Sequence, residues 1–374
     1  MRKAVLGSKV PLYAQISRTV RQRVRSGVYP AGRPLPSVRQ FSEEFGVSVI
    51  PVHQAMHILE EDGVVKTHPG KGIMVADNAS CDRAGIFFGV IHPYPRSQGF
   101  HQLVLEYIDQ AFAERFNFSV VRSSNNDPKQ ERDIAEHLIA NGVTGLVVWP
   151  CDDDPNGEHF MELSKTVPVV LVDRLLPGAD LPAIVHDYHT VGQDVCGHFF
   201  DELKRRRLLV IMDDLRISSY QELVRGIHDG ASERGRETDV TAVYWPLSRL
   251  LARTELGDFR KADAYGARTA RLLREGGFDA VFCTQGTFLD FVLVQGGFMD
   301  EFPDVRMGLI GGTVGYGGSR KYIARNPMEW LVDSGTMMSS AADCVQRWVL
   351  TRTSSREILR LKPRRWSRQC GKRK

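Results

Sequence analysis

The feature that most constrains the fold is the alternation of short apolar runs with amphipathic segments between residues 84 and 355. Ten runs predict strands, and segments with helical periodicity such as Pro128–Ala140 separate most of them. This alternation favours an α/β fold with parallel sheets covered on both faces. Because the segment is long for one sheet, we predict two lobes with a ligand cleft between them. The predicted strands are Ile86–Ile91, Phe118–Arg122, Gly145–Trp149, Val167–Val172, Ala183–His186, Leu208–Met212, Val240–Trp245, Ala280–Cys283, Met307–Ile310 and Glu329–Val332.

Residues 9–77 carry a different pattern, which predicts three short helices followed by a two-stranded hairpin. Ser37 and Ser48 stand where the second and third helices would begin, and serine is a favoured N-cap residue. Val64–Thr67 and Ile73–Val75 predict the two strands, joined by a turn that contains glycine. Three helices and a hairpin predict a winged helix-turn-helix, which we assign to residues 1–77.

The net charge of +4 is unevenly distributed along the chain. Residues 1–77 contain 11 Lys and Arg against 6 Asp and Glu, residues 78–355 contain 29 against 38, and residues 356–374 contain 9 against 1. A basic N-terminal segment suits a phosphate-binding module, whereas the acidic segment after it does not. We expect residues 78–83 to form a linker, residues 84–355 the two-lobed domain, and residues 356–374 a disordered basic tail, with contact to DNA as the alternative role of that tail.

The composition excludes several classes of protein. Hydrophobic residues make up 42% and charged residues 25% of the chain, which is typical of a globular protein. No apolar run is long enough to span a membrane, and the N-terminus lacks a secretory signal. The six cysteines form no CxxC pair and have no histidine at metal spacing. We therefore expect a cytoplasmic protein with reduced thiols, no metal, no cofactor and no membrane partner.

The helix-turn-helix prediction indicates which side chains would reach double-stranded DNA. The N-terminal part of the helix after Ser48 would enter the major groove, while the preceding helix and the wing would contact phosphates or the minor groove. Because one such helix contacts only a few base pairs, we expect a homodimer on a two-fold operator. The candidate DNA-binding residues are Ser37, Arg39, Ser48, His53, Gln54, Lys66 and Lys71.

The strings PLYAQI, LPSVRQFSEEFGVS, AMHILEEDG and PGKGIMV resemble the GntR family of bacterial regulators, in register over nearly all of residues 10–77. The resemblance implies that Arg39 contacts DNA. After Gly46-Val47-Ser48 the family usually has an arginine, then a threonine, then a further arginine, whereas this chain has Val49, Pro51 and His53. The difference implies an altered base preference or weaker binding.

The strings GVIHPYPRSQGFHQLVLEYIDQAF, VPVVLVDRLLP and VHDYHTVGQDVCGHFF resemble the first lobe of the LacI/GalR repressors and of the periplasmic sugar-binding proteins that share their fold. FDAVFCTQGTFLDFVL and FPDVRMGLIGG resemble the second lobe more loosely. The resemblance covers nearly all of residues 84–345 and implies a sugar-like effector held by Asp173 and Arg174, with an internal ion pair at a strand end as the alternative role of these two residues. It also implies a polar and aromatic contact at Gln98, Phe100 and His101, although a core position for the Phe100 ring is the alternative.

The second lobe departs from the pattern of those relatives. Gln285-Gly286 stands where they usually have Asn-Asp, and Gly311-Gly312-Thr313 stands where they have Phe-Asp. Leu223 occupies the place of a common binding arginine, for which the nearby Arg225 could substitute. Each lost partner would leave a ligand hydroxyl unpaired, at roughly 1–3 kcal/mol. The effector is therefore not an ordinary monosaccharide, or it binds differently. The candidate effector-binding residues are Gln98, Phe100, His101, Asp173, Arg174, Arg225 and Gln285.

These patterns predict a DNA-binding transcriptional regulator, with repression as the leading hypothesis, whose operator affinity changes when a small molecule binds. Two alternatives stay open. The departures in the second lobe favour an effector-independent regulator with a degenerate cleft. An enzyme is the other alternative, since two-lobed α/β folds also host catalysis, but the sequence contains no G-x-S-x-G, phosphate loop or HExxH and we assign no catalytic residue.

Overall fold

The computed structural model divides into two compact units, Met1–Ile86 and Phe87–Lys374. The predicted linker and the last seven residues lie outside the described part of the chain. The described residues are 12–25, 28–61, 63–68, 70, 72–76, 87–94, 99–113, 118–254, 260–311, 318–351, 353 and 356–367.

The N-terminal unit contains the predicted three helices and hairpin. Its core is formed by apolar side chains that recur at helical spacing, including Ile16 and Val20 on the first helix and Phe41 on the second. The hairpin strands are antiparallel, with Val65 opposite Val75. The elements, numbered in chain order, are α1 (Leu12–Arg25), α2 (Val38–Phe45), α3 (Val49–Glu61), β1 (Val65–His68) and β2 (Gly72–Val75).

Local chemistry determines both ends of α2 and the turn that leads to α3. Ser37 caps α2, because its hydroxyl accepts from the Gln40 backbone N–H at 3.3 Å while the Gln40 side chain accepts from the Ser37 N–H at 2.7 Å. Gly46 ends α2 with φ 67°, a left-handed conformation that glycine adopts without strain. The chain can therefore reverse and begin α3 at Val49, which is the helix-turn-helix arrangement.

The first lobe of the second unit has a six-stranded sheet in which every neighbouring pair is parallel. Its central strands are buried on both faces, which explains why they read as continuous apolar runs without alternation. The spatial order is β13-β7-β6-β5-β3-β4. The elements are β3 (Phe87–His92), α4 (Gly99–Ala113), β4 (Phe118–Ser123), α5 (Pro128–Ala140), β5 (Gly145–Val148), α6 (Gly157–Ser164), β6 (Val169–Val172), β7 (Ala183–His186), α12 (Ser334–Thr351) and β13 (Ile358–Leu361).

The second lobe has its own six-stranded sheet, in the order β14-β12-β11-β10-β8-β9, and only the edge strand β14 runs antiparallel. All ten predicted strands are present in the two sheets, with ends within two residues of the prediction. The elements are α7 (Tyr188–Cys196, continued as a π-helical turn to Glu202), β8 (Leu208–Asp213), α8 (Ser218–Ser232), β9 (Val240–Trp245), α9 (Leu247–Thr254), α10 (Arg260–Gly276), β10 (Ala280–Cys283), a π-helical segment (Phe288–Gln295), β11 (Arg306–Gly311), α11 (Arg320–Arg325), β12 (Met328–Leu331) and β14 (Arg364–Trp366).

The chain crosses between the lobes three times, after β7, after β12 and between β13 and β14. The third crossing corrects the prediction of a disordered tail for the described residues 356–367. Ile358 pairs with Ala183 at the edge of the first sheet, and Trp366 pairs with Glu329 at the edge of the second. Basic side chains of this segment pair with carboxylates elsewhere in the second unit, which is here called the body. Arg365, for example, lies 3.1 Å from Asp194 and 2.6 Å from Glu202.

Helices α7 and α8 approach each other closely enough that only glycine fits at their crossing. A Cβ at Gly226 would lie 2.0 Å from the His189 carbonyl oxygen, and a Cβ at Gly192 would lie 2.4 Å from the Leu223 carbonyl oxygen. Backbone atoms cannot rotate away as a side chain can, so the spacing of the two helices depends on these glycines. Within the described part of the chain, no helix is both long and apolar enough to span a membrane.

We expect Gly226→Ala to lower the free energy of unfolding by about 1–3 kcal/mol, because overpacking outweighs the gain in helix propensity. Gly197→Ala is the matched control. Its Cβ would first meet the end of the Arg234 side chain, at 3.2 Å, which can move. Urea denaturation measures both variants. Equal stability of Gly226→Ala and wild type would show that the helices tolerate a wider crossing.

Candidate functional site

Helix α3 of the N-terminal unit has one buried and one exposed face. Val52, Ala55, Met56 and Leu59 are buried in the core of the unit. The exposed stripe, defined as Ile50, His53, Gln54 and His57, follows the i, i+3, i+4, i+7 spacing of a helix face. The structure therefore exposes the predicted residues His53 and Gln54 on the same side of the helix.

The other predicted DNA-binding residues lie on separate elements of the same unit. Arg39 is exposed in the first turn of α2, Lys66 is exposed on β1, and Ser48 is exposed directly before α3. Ser37 is the α2 cap described above, so its hydroxyl already accepts a hydrogen bond. Lys71 lies outside the described residues. Their contacts with DNA remain predictions.

In the body, Asp173 and Arg174 follow β6 at the carboxyl edge of the first sheet. Arg174 is only 6% exposed, and its Nη1 donates to the Pro150 carbonyl oxygen at 2.8 Å and to Asp152 Oδ1 at 2.6 Å. Asp173 has φ 65°, and its Oδ2 accepts from the Trp149 indole N–H at 3.1 Å. The pair is thus bonded within the first lobe.

Three tyrosines, Tyr94, Tyr188 and Tyr220, lie close enough to Arg174 to interact with its charge and are here called the tyrosine cluster. Burial raises the pKa of all three phenols well above the usual range, and the Asp173 carboxylate raises each pKa further. Burial alone would lower the pKa of Arg174, but the nearby phenols and carboxylates raise it, so the guanidinium stays charged. Tyr94 also packs edge-on against Trp149, with ring centroids 5.1 Å apart. Rings of both lobes therefore lie near Arg174.

The tyrosine cluster includes residues from both lobes. Tyr94 follows β3 in the first lobe, whereas Tyr220 lies in the first turn of α8 in the second. A direct hydrogen bond also joins the lobes, since the Leu175 backbone N–H donates to the Ser218 hydroxyl at 2.7 Å. The lobes are therefore in contact next to Arg174.

Two cavities flank this contact. The smaller, of about 380 Å³, is lined by Asp154, Arg174 and Leu176 of the first lobe and by Arg216 and Gln221 of the second, among others. The larger, of about 690 Å³, belongs to the second lobe. Its lining residues are Asp213, Asp214, Leu215, Arg216, Tyr220, Gln221, Val224, Arg225, His228 and Tyr244.

The predicted effector residues do not all meet at one place. Arg174 lines the smaller cavity, whereas Arg225 lines the larger one and lies 3.1 Å from Glu222. Gln285 donates to the Ser248 hydroxyl at 3.4 Å, and Ser248 in turn donates to the Asp213 carboxylate at 2.5 Å. Gln98 lies outside the described residues, and so do the side chains of the other two residues in that predicted stretch, at the start of α4. Effector binding by these residues remains a prediction.

The prediction from sequence missed the tyrosine cluster and a buried acidic pair. Tyr94 and Tyr188 each follow the carboxyl end of a predicted strand, as Asp173 does, and ligands of open α/β sheets bind at that edge. Tyr220 lies in the first turn of α8, five or more residues beyond the end of a predicted strand. The rule about strand ends could therefore have found two of the three tyrosines.

The acidic pair, Glu131 and Asp154, shapes the loop after β5. Glu131 is fully buried and accepts from the Cys151 backbone N–H and from the Asn156 amide, each at 3.0 Å. Burial, with the adjacent Asp154 carboxylate, raises the pKa of Glu131 to about 9. Glu131 is therefore protonated at neutral pH, and the loop that it holds forms one wall of the smaller cavity.

Residues 12–75 match the family model described as bacterial regulatory proteins, gntR family. Over 73 residues the chain is 41% identical to the HTH-type transcriptional regulator GgaR of Escherichia coli K12. This match covers 20% of this chain and 29% of that protein. Over 204 residues it is 22% identical to the arabinose metabolism transcriptional repressor of Geobacillus stearothermophilus, which covers 53% of this chain and 56% of the repressor. The chain therefore matches less than two thirds of the length of either curated relative.

Solved structures match the body. The match to the myo-inositol binding protein of Caulobacter, bound to myo-inositol, covers 76% of this chain and 94% of that protein, with a TM-score of 0.62 and 15% identity. The match to the Cra transcriptional dual regulator of Pseudomonas putida, in complex with fructose 1-phosphate, covers 75% of this chain and 98% of that protein, with a TM-score of 0.56 and 16% identity. These likenesses confirm the predicted fold, a winged helix-turn-helix followed by a two-lobed periplasmic-binding-protein-like domain with parallel sheets.

We expect Glu131→Gln to flatten the dependence of stability on pH. The pKa of Glu131 rises from an ordinary 4.5 to about 9 on folding, so its contribution is complete below about pH 4.5 and is lost as the pH rises through about 9. The amide cannot ionise, so the variant should gain stability relative to wild type as the pH increases from about 5 to 9.

Thermal unfolding at several pH values measures this difference, with Glu158→Gln, which changes an exposed carboxylate on α6, as the control. A stability difference between Glu131→Gln and wild type that is constant across the range would mean that Glu131 is ionised in the folded protein.

Proposed function

We propose that the protein is a DNA-binding transcriptional regulator, a repressor, whose operator affinity is changed by a small-molecule effector. The observation that carries the proposal is an exposed recognition face on a gntR-type winged helix, in one chain with a two-lobed ligand-binding fold. A regulator that binds bacterial DNA acts in the cytoplasm, and no catalytic activity is proposed.

On DNA, α3 lies in the major groove with His53 and Gln54 towards the base edges. Arg39 and Lys66 contact phosphates on either side, which positions the helix without carrying sequence information. The protein acts as a homodimer on a two-fold site, because the four-residue stripe of one α3 reaches too few base pairs for specificity.

The effector binds beside Arg174, where both lobes contribute to the smaller cavity, and a carbohydrate or a carbohydrate derivative suits the polar groups there. Carboxylates accept hydrogen bonds from ligand hydroxyls, and guanidinium groups donate them. Residues of two lobes around one ligand support coupling, because closure of the lobes changes the affinity for the ligand and the ligand in turn favours one arrangement.

A second candidate function is an effector-independent regulator. The tyrosine cluster lies near Arg174, and the Nη1 donor of Arg174 is already bonded within the first lobe. An effector would have to compete with these internal bonds or bind in the larger cavity next to Arg225. A cleft whose polar groups are bonded within the chain would leave operator binding insensitive to metabolites.

The primary experiment is selection of genomic fragments by the purified full-length protein at moderate salt, which should recover a two-fold-symmetric site. On that site we expect Arg39→Ala to weaken binding about tenfold or more while the melting temperature stays unchanged, because the side chain is exposed. Lys129→Ala, which removes an exposed cation from α5 of the body, is the control and should bind as wild type does. Undiminished binding by Arg39→Ala would remove that residue from the interface.

A panel of sugars and sugar phosphates separates the two candidate functions. An effector at 100 times its Kd should stabilise the protein by about 2.7 kcal/mol, which is measurable as a shift in melting temperature. We expect Asp173→Asn, which retains the shape of the side chain, to lose that shift and to keep its operator affinity. If no compound moves the melting temperature or the operator affinity of wild type, the effector-independent function is favoured.

A further inference from the structure

We propose that Ile50, in the first turn of α3, contacts the C5-methyl group of a thymine in the major groove and makes the operator depend on that thymine. This inference rests on the proposed DNA binding and goes beyond it, because it names the chemical group that is read. The observation behind it is an apolar side chain at the tip of a recognition helix.

The exposure of this residue has no explanation within the folded unit. Ile50 is 66% exposed and its neighbour Val49 is 41% exposed, whereas the apolar residues Val52, Met56 and Leu59 of the same helix are buried. Ile50 is therefore not a core residue that is poorly covered. It belongs to the exposed stripe and stands one turn before His53 and Gln54.

The chemistry of the major groove offers such a side chain one partner. An isoleucine can neither donate nor accept a hydrogen bond, so it cannot read the donors and acceptors of the base edges. The thymine methyl is the apolar group that those edges present. Gln54, one helical turn further on, can bond to the N6 and N7 atoms of adenine. The stripe therefore suits adjacent A·T pairs.

The surroundings of Ile50 favour DNA over a second copy of the chain as the covering partner. Arg39 and Lys66 are exposed on neighbouring elements of the same unit, and the stripe contains no carboxylate. The first turn of a helix also carries partial positive charge from its backbone N–H groups. An apolar side chain at a helix N-terminus, in a unit with exposed cations, matches a methyl group that is flanked by phosphates.

The test replaces each thymine of the selected duplex by uracil, which removes only the methyl group. Fluorescence anisotropy at constant salt gives the Kd of each duplex for the full-length wild-type protein, Ile50→Ala and Ile50→Val. Val28→Ala is the matched control, because Val28 is an equally exposed aliphatic residue, at 61%, in the same unit but outside α3.

For wild type we expect uracil at one position in one half-site to raise the Kd about fourfold, which corresponds to the free energy of burying one methyl group. Uracil at the same position in both half-sites should raise the Kd about 15-fold. Ile50→Ala should bind the thymine and uracil duplexes equally. Ile50→Val should retain most of the discrimination, and Val28→Ala should retain all of it.

Two results would overturn the inference while leaving DNA binding in place. Either every uracil duplex binds wild type as tightly as the thymine duplex, or the penalty persists in Ile50→Ala. Selection of no specific duplex by wild type would overturn both this inference and the proposed function. Loss of a dimer in Ile50→Ala without DNA present would show that a second copy covers the residue.

Discussion

The body depends on the neutralisation of one buried cation at the carboxyl edge of its first sheet. A guanidinium removed from water is stable only if hydrogen bonds and opposite charges surround it. Arg174 obtains them from the Pro150 carbonyl and from Asp152, so the ends of β5 and β6 are held together. Asp173 adopts a left-handed conformation beside it, and the tyrosine cluster lies near the resulting group. The contact between the lobes is thus organised by a charge that belongs to the first lobe.

The layered fold could be predicted because hydrophobic periodicity is local. Strands buried on both faces, such as Val169–Val172, read as unbroken apolar runs, and Ser37 marked the start of α2. The strands β13 and β14 could not be predicted in the same way. Residues 358–366 are rich in cations, and their place in the sheets depends on pairing with β7 and β12 and on acidic partners such as Glu202. Those partners are distant in sequence.

The candidate effector site shows a similar limit. The family resemblance selected Asp173 and Arg174, and the structure does place Arg174 on a cavity lined by both lobes. It does not bring Arg225 to that cavity, because Arg225 faces the larger one on the second lobe. The resemblance transfers positions along the chain. It does not transfer which side chains lie between them, and Tyr220 illustrates this since it reaches the vicinity of Arg174 from the second lobe.

The third crossing between the lobes has a consequence for the order in which the protein folds during synthesis. The N-terminal unit is complete when little of the chain has left the ribosome, and its contacts are local. The first sheet, in contrast, receives its edge strand β13 from the far end of the chain, where Ile358 pairs with Ala183. Contacts between such distant residues form late. A nascent chain therefore carries a finished winged helix for some time before its body can close, and the segment with β13 and β14 completes both sheets.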